Sequence, residues 1–193
     1  MAAVQSVFLA RRQSYEHCIG EFGPAEYANV APYYLRGKTE ALIRDTAELN
    51  ADFTAKIVNS SGWCHTEITA GPLILTTHAV DGPCGLVDRA QYRDSLAESQ
   101  GSFFDPAEMK PSARLYALLL HGPYRGRNGK ETSQYRYLPG SVYLAFPEFA
   151  QRKYAHAINL FERYPDLLAG LLPQEWDAQA HLVYRWQAKQ RIA

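Results

Sequence analysis

Cysteine is scarce in this chain. The three present, Cys18, Cys64 and Cys84, are odd in number and show no C-x-x-C spacing, which argues against a disulfide framework and a four-cysteine zinc site. A reducing, cytoplasmic setting is therefore expected. Long apolar runs are missing too. The longest spans residues 115–120, whereas a membrane helix needs about twenty apolar residues. Residues 4–9 are mostly apolar and precede Arg11 and Arg12, the reverse of a secretory signal's order. These features predict a soluble protein that does not enter a membrane. Excess charge of either sign is also lacking, with 20 basic and 20 acidic residues. No global field draws in nucleic acid or an anionic surface, although a local basic patch is compatible with this balance.

Familiar catalytic signatures are equally missing. There is no G-x-S-x-G, H-E-x-x-H or G-x-G-x-x-G run and no zinc-finger spacing, so acyl transfer, zinc-protease and dinucleotide chemistry have no local motif. The stretch from Gly122 to Thr132 follows an apolar strand and contains Gly129-Lys130. It fails as a phosphate loop: Tyr124 stands where the first glycine is needed, and Glu131 where a hydroxyl should hold magnesium. No repeat, low-complexity tract or linker divides the chain. A single domain over 1–193 is expected, with a helical segment over 1–52, a sheet-forming region over 53–146 and a helical segment over 147–193.

What is present centres on residues 63–80, which read as two strands folding back through Thr69-Ala70-Gly71-Pro72. A turn centred on Ala70-Gly71 places Trp63 opposite His78, His65 opposite Thr76 and Glu67 opposite Ile74. Alternation across the strands then collects His65, Glu67, Thr76 and His78 on one face. Residues 53–58 read as a preceding strand, which makes a three-stranded meander. Two imidazoles and a carboxylate converging on a sheet have the chemistry to bind a divalent metal or to divide acid and base roles. An antiparallel sheet also commonly leaves one face wet, where polar residues need no function.

Before the meander, the apolar spacing predicts one amphipathic helix to about Gly20. A second is expected to open at Pro24 and stop near Gly37, and a third to be capped by Thr39. After it, Asp81 reads as a turn residue, and Asp88 with Gln91 as a capping box for a short helix carrying Tyr92 and Leu96. Asp81, Asp88 and Arg89 are also near enough in sequence to extend the His65 site. Residues 99–112 show no period and carry the pair Phe103-Phe104, which either returns to the core or docks a partner. Residues 115–120 are apolar on both faces and fit a central strand, at whose end His121 stands. Ligands favour strand ends in sheets with helical cover. A hairpin around Pro139-Gly140 is then expected, with a helix from Pro147 to Tyr164 and a tail around Trp176 and Trp186 that reads as helix more readily than strand.

The predicted fold is α+β: N-terminal helices, a largely antiparallel sheet of about five strands, and C-terminal helices packed on it. The leading functional expectation is a non-enzymatic binding or regulatory protein. It would recognise a protein or nucleic-acid partner through the loop bearing Tyr124, Arg125, Arg127, Lys130, Tyr135 and Tyr137, since cations beside aromatics serve both kinds of surface. The alternative is a metal-assisted hydrolase of phosphodiesterase or nuclease type. It would use His65, Glu67 and His78 as metal ligands or as acid and base, with Arg125 or Arg127 holding the anion. No cofactor is expected for the first, and a divalent metal for the second.

Overall fold

The computed structural model describes residues 2–60, 63–82, 84–88, 90–100, 114–123, 138–148 and 153–165. Two long helices come first, α1 (Ala2–Glu21) and α2 (Pro24–Glu48). A meander follows, β1 (Thr54–Ser60), β2 (Trp63–Ala70) and β3 (Leu73–Ala79), and then α3 (Gln91–Gln100). The chain continues through β4 (Leu115–Pro123), β5 (Pro139–Pro147), β6 (Tyr154–Asn159) and the single turn α4 (Leu160–Arg163). The class is α+β. The six strands among the described residues form one mixed sheet in sequence order, with β3 and β4 parallel and every other neighbouring pair antiparallel.

The sheet lies between two helical covers. On one face Val4, Val7 and Phe8 of α1 and Ile43 and Ala47 of α2 pack with Ile68, Leu119 and Val142. On the other, Leu96 and Ala97 of α3 pack with Ile74, Tyr116, Leu118 and Leu120. A strand buried on both faces needs a continuous apolar run, and β4 has one, its residues from Tyr116 to Gly122 all being buried. The parallel step from β3 to β4 requires a crossover, since parallel neighbours cannot be joined by a tight turn. The crossover joins Ala79 to Leu115 and includes α3, which packs on the second face.

Four local expectations are corrected. The break expected near Gly37 does not occur: α2 runs unbroken through Pro32 and Gly37. Thr39 is no cap, because its hydroxyl donates to the Leu35 carbonyl one turn back at 2.8 Å. Burial of Thr39, Ile43 and Ala47 on one side of α2 outweighs the weak preference of glycine and proline to end helices. Since a Cβ at Gly37 would meet nothing within 4 Å, Gly37→Ala is expected to stabilise the protein by about 1 kcal/mol. A rise in the urea midpoint at unchanged slope checks this.

The second correction concerns the turn, which is Gly71-Pro72, one residue later than expected. The β2–β3 pairs are Ile68 with Leu75, Thr69 with Ile74 and Ala70 with Leu73. Gly71 has φ +55°, and glycine at the first central position fits a two-residue II′ turn whose second position suits proline. Moving the turn by one residue shifts the pairing by two, so every side chain keeps its face. Third, Pro139-Gly140 is no hairpin turn but lies within β5. Fourth, the helix expected from Pro147 to Tyr164 is replaced by the end of β5, by β6 and by α4. β6 pairs with the free edge of β5, with Leu144 opposite Ile158 and Ala145 opposite Ala157, and this long-range pairing overrides a local period that helix fits equally well. Residues 99–112 except Ser99 and Gln100, the pair Phe103-Phe104, and the tail from 166 onward lie outside the described residues.

Candidate functional site

β2 and β3 are laddered only beside their turn. Beyond Ile68 and Leu75 they have no ladder pairs, and backbone groups left there need other partners. Side chains of α2 supply them: Glu40 Oε2 accepts from the Thr66 N–H at 3.1 Å, and Arg36 Nη2 donates to the Cys64 carbonyl at 2.9 Å. Arg36 and Glu40 are themselves paired at 3.1 Å. The split between the two strands is thus stitched from one side, and α3 fills it from the other.

His65, Glu67, Thr76 and His78 do share one face, but that face is not wet. Only 3% of His65, 7% of Glu67 and 1% of Thr76 is exposed, because the first turn of α3 lies over them. The Tyr92 ring stacks on the His65 imidazole with centroids 3.8 Å apart and planes 18° from parallel. His65 Nε2 donates to Glu67 Oε1 at 3.3 Å, and Lys56 Nζ holds the other carboxylate oxygen at 2.9 Å. Glu67 is thereby a neutralised anchor for β1 and β2.

His78 belongs to a different set of contacts. Arg93 Nη1 lies 3.4 Å from its Nδ1, and a guanidinium can only donate, so Nδ1 is an acceptor and the ring proton sits on Nε2. That N–H faces both Thr76 Oγ1 at 3.2 Å and Tyr92 OH at 3.3 Å. The chain extends to Tyr116 OH, 2.9 Å from Thr76 Oγ1. Burial holds the His78 pKa well below its ordinary value, and the charges of Arg93 and Arg36 push the same way. Burial likewise raises the Tyr92 phenol. The imidazole is neutral at pH 7 with both nitrogens engaged.

Arg93 also donates to Tyr92 OH at 2.9 Å and to the Asp88 carbonyl. Each of these acceptors is uncharged, and among the described residues no carboxylate pairs with this guanidinium. Asp88 therefore helps position Arg93 through its backbone and is not the expected cap; the N–H of Asp94 bonds instead to the Ala90 carbonyl. Arg93, Tyr92, His78, Arg36 and Tyr33 line a cleft of about 590 Å³ where β3 ends. It is a positively charged, tyrosine-lined opening suited to an anion.

The structure thus brings His65 to Glu67 and sets His78 in a separate group with Tyr92 and Arg93. Among the described residues no group of three His, Cys, Asp or Glu side chains is placed to hold a metal ion. Tyr124, Arg125, Arg127, Lys130, Tyr135 and Tyr137 lie outside the described residues, as does Arg89. Sequence reasoning took Tyr92 only for an apolar helix face and missed Arg93 and Arg36. The adjacent pair Tyr92-Arg93 at the start of a helix just after the meander was the available signal for the first. Nothing local marks Arg36, which sits 42 residues before His78 in the chain.

No family model, no curated protein and no solved structure matches this chain. No helix among the described residues is long and apolar enough to cross a membrane.

Proposed function

We propose that this is a non-enzymatic binding or regulatory protein that recognises a protein or nucleic-acid partner through its Arg/Tyr-rich segment 124–137 together with the cleft where β3 ends. One observation carries this reading: the Arg93 guanidinium is held by three neutral acceptors beside an open cleft. Its orientation is set while its charge stays available to an anionic group. Pro123 closes β4 and pairs with Pro139 at the start of β5. In sequence, the segment joining β4 to β5 carries Arg125, Arg127 and Lys130 as further cations and Tyr124, Tyr135 and Tyr137 as stacking residues for such a partner. The cysteines of the described fold are free thiols, which fits the reducing cytoplasm as the place where it works.

The test is fluorescence anisotropy with short RNA and DNA oligonucleotides across a salt series. For a nucleic-acid partner, replacing both Arg125 and Arg127 by alanine should weaken binding and lower the salt slope by about one per arginine. Arg93→Met should weaken it as well. Unchanged binding in the double variant removes the loop from the account, and no oligonucleotide binding at low salt leaves only a protein partner. The metal-assisted hydrolase ranks second because His78 has both nitrogens occupied and Glu67 is already neutralised by Lys56. Metal-dependent phosphodiesterase activity that vanishes in His78→Ala would reverse this order.

A further inference from the structure

A second cleft, of about 650 Å³, opens on the other side of Pro32, between α1, α2 and the ends of β3 and β4. Its polar floor comes from α1. Arg11 and Ser14, three residues apart and hence on one helical face, are 7% and 4% exposed and both line the cleft. The Ser14 hydroxyl has no hydrogen-bond partner among the described residues, an arrangement that costs free energy in a protein interior unless something meets it. Its walls are apolar and aromatic: Ala31 and Leu35 of α2, and the edge-to-face pair of Tyr15 and Tyr27, with ring centroids 6.3 Å apart. The exposed Asp81 stands at the rim.

We infer that this cleft binds a small organic monocarboxylate, with the carboxylate on Arg11 and Ser14 and the apolar body against Ala31, Leu35 and the tyrosine pair. A guanidinium presents five N–H donors in a planar fork, enough to take a carboxylate alongside its contacts within the fold. Ligand clefts of this size characteristically combine apolar walls with a few convergent polar groups, and lie beyond the carboxyl ends of strands. The charge balance selects a monoanion. Arg11 provides one positive charge, His121 behind it is fully buried and stays neutral with its pKa lowered to about 3 by burial and by Arg11, and Asp81 at the mouth repels further negative charge. A phosphate dianion would be under-compensated here.

Isothermal titration of the full chain with acetate, hexanoate and phenylacetate, their amides and inorganic phosphate tests this. Hexanoate and phenylacetate should bind at least about tenfold more tightly than acetate, their amides or phosphate. Ser14→Ala should weaken them by about tenfold, Arg11→Met more, and Ala31→Trp should abolish binding by filling the cleft. If Arg11→Met does not fold, Ser14→Ala and Ala31→Trp decide. The inference is overturned if no carboxylate binds up to about 10 mM, if amides match their acids, if phosphate binds better, or if Ala31→Trp leaves binding intact. This cleft and its probes are separate from the Arg93 site, so either proposal can fail alone.

Discussion

Lowering the pH from about 7 to about 5 is expected to destabilise the protein by on the order of 2 kcal/mol through His121 alone. His121 ends the central part of β4, is 1% exposed, and has a pKa lowered from 6.5 to about 3, first by burial and then by the Arg11 charge. The unfolded chain takes up this proton near its ordinary pKa of 6.5, whereas the folded chain resists it until about pH 3. Between the two values the unfolded state binds more protons, so stability contributed above the upper value is lost progressively as the pH falls. His78, also held neutral by burial and by Arg93 and Arg36, acts in the same direction. Urea denaturation at both pH values checks the effect, with His121→Leu as the comparison. The variant should lose a large part of the pH dependence, and an unchanged slope would show that His121 titrates normally.

Leu118→Ala is expected to cost about 3 kcal/mol, within the range found for truncating buried leucines. Leu118 is fully buried and lies between Thr76 of β3 and Ala145 of β5, on the face where it packs with Ile74, Leu120 and Tyr143. Backbone ladders on both sides keep these neighbours from moving in, so the cavity persists and its cost adds to the lost transfer free energy. Against a typical stability of about 5–15 kcal/mol, this is a large fraction. Ile57→Ala on β1 is the control. Ile57 is 60% exposed, and surface truncations usually stay within about 0.5 kcal/mol. Equal losses at the two positions would mean that β4 is not the centre of the core.

The shared face of His65, Glu67, Thr76 and His78 was legible because strand alternation depends only on parity, and parity survived the error in the turn. Its chemistry was not. A metal or acid–base site was one expectation and a wet face without function the other, yet α3 covers the face and the groups fall into a His65–Glu67–Lys56 set and a His78–Tyr92–Arg93 set. Likewise the apolar run in β4 marked a central strand unaided, while residues 154–159 fitted helix and strand alike until the edge of β5 was there to pair with.

By itself, then, the amino-acid order determined the α+β class, the leading helix, the meander, the position of β4 in the middle and the side of the sheet that the residues of β2 and β3 face. These follow from periodicity and local chain stiffness, which neighbouring residues express without help. Only the three-dimensional packing decided that α2 runs through Pro32 and Gly37, that β2 and β3 part, and that Arg36 and Arg93 meet His78 beside a cleft. Those outcomes depend on contacts between residues far apart in the chain, where burial and hydrogen-bond satisfaction outweigh the small local preferences that a sequence displays.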